Sequence, residues 1–215
     1  MKKIILAGKT SSFLVTIISI GYGISQALLA IGLIPHCANL HWFFIAFLLL
    51  APLFLVMTVC LDLVASENSR KWTTIAWGIA TINCTLVNMA YFFRPGVVEH
   101  YLNWQTGDLG RQVFETPATL ISIQFTTCYL LSASAFICSF AFRNSGTKKL
   151  YRSLAVNGLF LPLLAVCWLY PRYYYLVSMW MIAFSLASLR VTSYFKAEER
   201  KLEEQEKRVH SQLNG

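Results

Sequence analysis

The sequence predicts an all-α polytopic membrane protein, a six-transmembrane-helix bundle with a charged, helical C-terminal tail in the cytoplasm. Three observations carry this reading. Hydrophobic residues make up 56% of the 215 and charged residues only 13%, about half the charged share of an ordinary soluble domain. The charges gather in short clusters separated by long uncharged runs. Six of those runs reach the roughly 17 to 25 residues that a helix needs to cross a hydrocarbon core of about 30 Å. A membrane β-barrel would instead alternate apolar and polar residues over segments of about ten. These runs are continuously apolar.

Cutting the chain at its charges gives spans at 10–35, 42–61, 72–93, 116–142, 153–171 and 173–189, within a transmembrane domain covering 1–195. The first run, Thr10 to Pro35, is longer than the roughly 7 to 15 residues of a signal-peptide core and lacks a small-residue cleavage site, so it is expected to be a retained helix. The second and fifth spans are apolar around their circumference and carry Pro52 and Pro162 near their middles, which predicts kinks or local unwinding. The other four carry stripes of small or weakly polar residues. In the first, Ser12, Thr16, Ser19, Gly23, Gln26 and Ala30 stay within an arc of about 80°. The third has Thr74, Gly78, Thr81, Thr85 and Asn88, the fourth Thr119, Ser122, Thr126, Tyr129 and Ala133, and the sixth Ser178, Ser185, Ser188 and Thr192. Such stripes are expected to face inward, because close backbone approach and interhelical hydrogen bonds replace the hydrophobic effect between membrane helices. The order striped, proline-broken, striped occurs twice, and with three spans per half the second copy would be inverted, a recurring plan of small transporters.

The net charge of +8 reflects topology and not a nucleic-acid surface. With the N-terminus inside, the cytoplasmic segments hold Lys2, Lys3 and Lys9, Arg70 and Lys71, Arg143, Lys148, Lys149 and Arg152, and six more from Arg190 to Arg208. Only Arg94, Arg111 and Arg172 fall outside. The expected location is therefore a membrane, multi-pass, with both termini cytoplasmic, in bacteria the inner membrane. Asp62, Arg94 and Arg190 sit at span ends, where hydration and snorkelling accommodate them. With so few ionisable groups at depth, a proton pump and carboxylate chemistry in the membrane core are disfavoured. Gln26, Asn83, Asn88, Gln124 and Asn157 remain as deep polar groups.

On the outer side, His36, Cys37 and His41 fall in a short loop, and His100 in a long one from Arg94 to Glu115. These are the candidate metal ligands, for zinc or copper at the outer face; no other cofactor is expected. Within the long loop, Val97 to Trp104 predicts a short interfacial helix, and Thr116-Pro117 reads as N-cap and first position of the fourth helix. Five cysteines lie within spans and there is no C-x-x-C pair, so they read as packing residues. The tail, 196–215, has opposite-charge pairs such as Glu203/Lys207 four residues apart. Phe195, Leu202 and Val209 recur every seven residues, but Glu198, Gln205 and Gln212 occupy the matching d positions. That describes a solvated helix better than a coiled-coil seam, with a homo-oligomer or a protein partner held through the tail as the alternative.

Three functions fit. The first is a small-solute transporter, channel or binding protein, its uncharged ligand meeting Gln26, Thr85, Asn88, Thr126, Tyr129 and Ser185 between the two three-helix halves. The second is a non-catalytic accessory, immunity or signalling protein of the bilayer. The third is a membrane enzyme acting on lipid or isoprenoid, which would need the outer His/Cys/Glu group as its chemistry. Nucleotide-binding loops and nucleophile elbows are absent from the sequence.

Overall fold

The computed structural model describes residues 1–31, 33, 36–92, 117–169 and 176–213, with side chains at 1–28, 31, 33, 45–90, 123–144, 146–166, 179–210 and 212. These residues form six α-helices and no strand: α1 (Lys2–Ala30), α2 (His36–Val64), α3 (Glu67–Phe92), α4 (Pro117–Ser139), α5 (Lys148–Leu169) and α6 (Leu176–Leu213). Short 3₁₀ turns, Phe140–Phe142 and Ser145–Thr147, join α4 to α5. By length and composition, four segments among the described residues can cross a membrane: Lys2–Leu28, Ile45–Val64, Ile123–Phe142 and Lys148–Val166. In α3 the polar residues Thr73, Thr74, Thr81, Asn83, Thr85 and Asn88 dilute the apolar run. In α6 the apolar stretch reaches Arg190 and then a charged extension.

Helix ends depart from the expected spans in informative ways. α1 begins at Lys2, two turns before Thr10. α2 takes in His36 to His41, expected as a loop. α4 starts at Pro117 as expected, since the fixed φ of proline suits the first helical position and its missing N–H costs nothing there; Thr116 and the loop from Arg94 to Glu115 lie outside the described residues. Pro52 and Pro162 sit inside helices that continue unbroken through them, so the expected local unwinding does not occur. Packing from neighbouring helices holds a proline-containing membrane helix together although one backbone hydrogen bond is lost. One turn before Pro162, Gly158 admits the Phe136 ring from α4.

Each helix packs mainly on its neighbours in the chain, and α6 returns to pack most extensively on α1. The six therefore close a ring. Neighbours run antiparallel: Ser12 Oγ meets Thr192 Oγ1 at 2.9 Å, Gly8 lies against the Phe195 ring and Gly23 against Met181. Ser134 Oγ donates to the Ala76 carbonyl at 2.7 Å, fixing α4 against α3. The ring is filled by side chains, including Phe47, Phe54, Met57, Leu131, Trp180 and Phe184. Phe184 lies between Phe54 and Trp180, with ring centroids 5.5 and 5.0 Å away.

The two chain ends lie at one end of the bundle. Lys2 pairs with Glu206 at 2.6 Å and Lys9 with Glu199 at 2.7 Å. Ile4, Ile5, Phe195 and Leu202 join the same apolar cluster, so the first turns of α1 form an antiparallel pair with the extension of α6. The tail is thus a docked helix for half its length, and solvated only beyond; Val209 is exposed. Phe142 meets Tyr194 edge-on at this end. Burial pushes the Tyr194 phenol up to about 12, with Glu198 one turn on adding to it, so it stays neutral. Here too Asp62, buried at the end of α2, accepts from Thr73 Oγ1 at 2.6 Å and Thr74 Oγ1 at 3.0 Å, with Arg70 Nε at 3.5 Å. It clamps the α2–α3 turn.

Two of the four polar stripes face inward and two do not. On α1 and α6, Ser12, Thr16, Ser19, Gln26, Ser185, Ser188 and Thr192 are buried. On α3, Thr74, Thr81, Thr85 and Asn88 are exposed, and the buried face is Thr73, Ala76, Ala80, Asn83, Val87 and Ala90. The reason is local hydrogen bonding. Thr81 Oγ1 donates to the Trp77 carbonyl at 2.9 Å, Thr85 Oγ1 to Thr81 at 3.0 Å and Asn88 Nδ2 to Cys84 at 2.7 Å. A hydroxyl that bonds to its own helix presents mainly carbon outward, so it tolerates an apolar surrounding. On α4 the buried face is likewise offset from the expected stripe, running through Thr127, Cys128, Leu131, Ser132, Ala135 and Ser139.

Candidate functional site

The interior polar residues gather in two places, each set by a helix register. The first centres on Tyr22, buried on α1 with the Phe47 ring edge-on at 4.9 Å. Gln26, one turn along the same helix, donates from Nε2 to the Tyr22 hydroxyl oxygen at 2.8 Å. Gln124 reaches across from α4 and donates from Nε2 to the same oxygen. The phenol thus ties α1 to α4 through two amide donors, while the Gln26 Oε1 acceptor has no partner among the described residues. Trp180 on α6 is wholly buried and its Nε1–H is likewise without a partner. Because Gly23 packs on Met181, Gln26 and Trp180 fall within about one helical turn of the same depth. An unpaired acceptor and an unpaired donor therefore occupy one level of the bundle.

The second place lies between α3 and α4. The Ser134–Ala76 bond aligns the antiparallel pair, so Asn83, seven residues after Ala76, is level with Thr127, seven residues before Ser134. Asn83 is wholly buried with neither amide atom partnered, and the Thr127 hydroxyl is also unpartnered. The Ser19 and Ser132 hydroxyls and Asn157 Oδ1 complete the set of buried polar atoms without partners among the described residues. All are uncharged. Asp62 is the one ionisable member of the buried polar residues described, and it is occupied by the α2–α3 turn.

An unpaired polar group in an apolar interior forfeits about 1–3 kcal/mol. Such groups are normally completed by ordered water or by a ligand. Chemically, amides, hydroxyls and an indole N–H bind other hydrogen-bonding neutral groups and supply no acid, base or nucleophile of suitable pKa.

The six expected ligand residues do not converge. Gln26 belongs to the first cluster. Ser185 is buried but donates to its own helix at the Met181 carbonyl, 2.7 Å away, and edges an outward groove of about 400 Å³ between α1 and α6. Thr126 and Tyr129 line a recess of about 260 Å³ with Phe125, Leu164 and Ala165, where Tyr129 is 42% exposed. Thr85 and Asn88 lie on the outward face of α3. Among the expected metal ligands, His36, Cys37 and His41 stand on the first turns of α2, not on a convergent loop. His100 lies outside the described residues. Among the described residues no group of three or more His, Cys, Asp or Glu is placed to hold a metal ion. Tyr22 and Trp180 were not singled out from the sequence; the spacing of four from Tyr22 to Gln26 is the signal that one helix face carries both. No protein-family model, curated protein or solved structure matches this chain, so its function rests on its own residues and their geometry.

Proposed function

We propose that this is a small-solute transporter, channel or binding protein of the membrane, with six spans, both ends cytoplasmic and a small, uncharged, hydrogen-bonding ligand. The observation that carries the reading is the set of eight buried side-chain polar atoms that have no partner among the described residues. At roughly 1–3 kcal/mol each, they would forfeit on the order of 10 kcal/mol, comparable with the whole stability of an ordinary domain. Water or a ligand inside the ring removes that cost. The lack of unpaired charge at depth disfavours a bare ion, which requires counter-charge or a dense cage of oxygens. α1, α3, α4, α5 and α6 supply the amides, hydroxyls and indole, drawn from both halves of three helices.

Cysteine accessibility tests this. In a variant lacking the native cysteines, Asn83→Cys and Thr127→Cys are expected to react with a small water-soluble thiol reagent in intact membranes. Thr85→Cys on the lipid-facing side of the same helix should stay protected. Protection of both interior positions would mean a dry bundle and overturn the transport reading. The accessory role would then lead, supported by the outward groove floored by Ser19, Gly23 and Ala27, whose small residues allow a partner helix to approach closely.

A further inference from the structure

Between α5 and α6, at the end of the bundle that holds both termini, an open groove of about 640 Å³ runs along the outer surface. Three cations stand at its head: Lys149 and Arg152 from the first turns of α5 and Arg190 from α6. All three are exposed. None is paired with a carboxylate among the described residues, although Lys2, Lys9, Arg70 and Lys201 each are. Below the cations the walls are apolar, with Val156 and Phe160 on one side and Ile182 and Leu186 on the other. The groove exists because α5 packs less extensively on α6 than on α4, leaving the seam open to the surroundings of the bundle.

We propose that this groove is a binding site for an anionic phospholipid. Its phosphate sits among Lys149, Arg152 and Arg190, and one acyl chain lies along Val156, Phe160, Ile182 and Leu186. The two parts of the groove match the two parts of that molecule in sign and in order. Two guanidinium groups fork onto phosphate oxygens, the lysine adds a point charge, and the apolar walls begin where the headgroup ends. Basic pockets between membrane helices on the positively charged side recognise anionic headgroups in this way. A soluble anion would use the head of the groove and leave the apolar walls uncovered. The site rests on the membrane reading and is independent of transport: its residues are separate from the interior clusters.

The test titrates the detergent-solubilised protein with phosphatidylglycerol and with phosphatidylcholine of the same chains, reading bound lipid by native mass spectrometry. Preferential retention of phosphatidylglycerol is expected, with affinity falling about fivefold for each cation neutralised in Arg152→Gln and Arg190→Gln. Val156→Trp, at a 40% exposed position, fills the groove while keeping every charge. It is expected to lower phosphatidylglycerol binding at an unchanged thermal midpoint. Equal binding of the two lipids, or full retention by the double Arg variant, overturns the site. So does competition by inorganic phosphate at the concentrations at which phosphatidylglycerol binds, which would make it a free-anion site. Release of the chain from cell membranes by alkaline carbonate would instead remove the membrane reading, and a chain that stays in the membrane but shows no lipid preference removes only the site.

Discussion

Glycine positions separate two kinds of helix contact at the level of single atoms. A Cβ at Gly8 would fall within the ring of Phe195, and one at Gly158 within the ring of Phe136, whereas Gly21 and Gly78 have open space beside them. Phe195 is wholly buried, so its ring cannot move aside without disturbing the α1–α6 pair. Gly8→Ala and Gly158→Ala are therefore expected to lower stability in detergent by about 1–3 kcal/mol. Gly21→Ala and Gly78→Ala should be neutral or stabilising by up to about 1 kcal/mol, because alanine loses less backbone entropy in a helix. Thermal unfolding of the four variants checks the sign at each. At Gln26 the expected effect of Leu is different: it deletes the unpaired acceptor and breaks the bond to Tyr22, so permeation or binding of a neutral solute should fall without loss of the folded bundle.

The elements owe their boundaries to short-range chemistry and their docking to partners far away in sequence. Ser66, just before α3, accepts the backbone N–H groups of Ser69 and Arg70 with its carbonyl, and its hydroxyl meets that of Ser69 at 2.7 Å. Those contacts start the helix. Asp62 then locks it against α2, and a charged acceptor holding two hydroxyls gains more than a neutral one. Asp62→Asn is expected to cost about 1–2 kcal/mol and Asp62→Leu more, since Thr74 then loses the side-chain acceptor it has in the carboxylate. The α6 extension gives a second comparison. Ending the chain after Gln205 removes the Lys2–Glu206 pair, in which both side chains are more than half exposed, and should leave the melting temperature nearly unchanged, because solvent screens an exposed pair. Ending it after Phe195 also removes Leu202 and the Lys9–Glu199 pair. The further loss of about 1–2 kcal/mol comes mostly from apolar surface uncovered on α1. Equal melting temperatures for the two truncations would mean that the tail is solvated along its whole length.

For the whole molecule, the closed ring and the co-location of both chain ends set a parity. An even number of crossings returns α6 to the end where α1 begins, as the Lys2–Glu206 and Lys9–Glu199 pairs require. Alkaline phosphatase fused after Gly215 is therefore expected to be inactive in a bacterial host, and a fusion after Asn103 active. The reverse pattern would invert the bundle in the membrane. The ring also explains how unpaired polar atoms persist. Each helix has two neighbours in the ring to pack on, and an inward amide such as Asn83 meets no hydrogen-bonding partner on either among the described residues, so its capacity stays unused inside the bundle.

The sequence by itself determined that the chain is helical and where most helices lie, because an uncharged run in hydrocarbon must satisfy its backbone internally and only the helix does so within one segment. It also identified the inward stripes of α1 and α6, where Ser12, Ser19, Ser188 and Thr192 fall on the buried side; the charges it placed at span ends include Lys9 and Arg190, through which α1 and α6 continue as helix. Only the tertiary structure decided the orientation of α3 and α4. A serine, threonine or asparagine that can bond to its own helix is at home on either face, so a polar stripe carries no fixed direction. The same holds for the cluster at Tyr22, whose partner Gln124 stands 102 residues away. It holds for the tail as well, since its docking surface is the first two turns of the chain. Such pairings join residues that no local pattern relates; they exist because the ring closes, which the packing of α6 on α1 accomplishes.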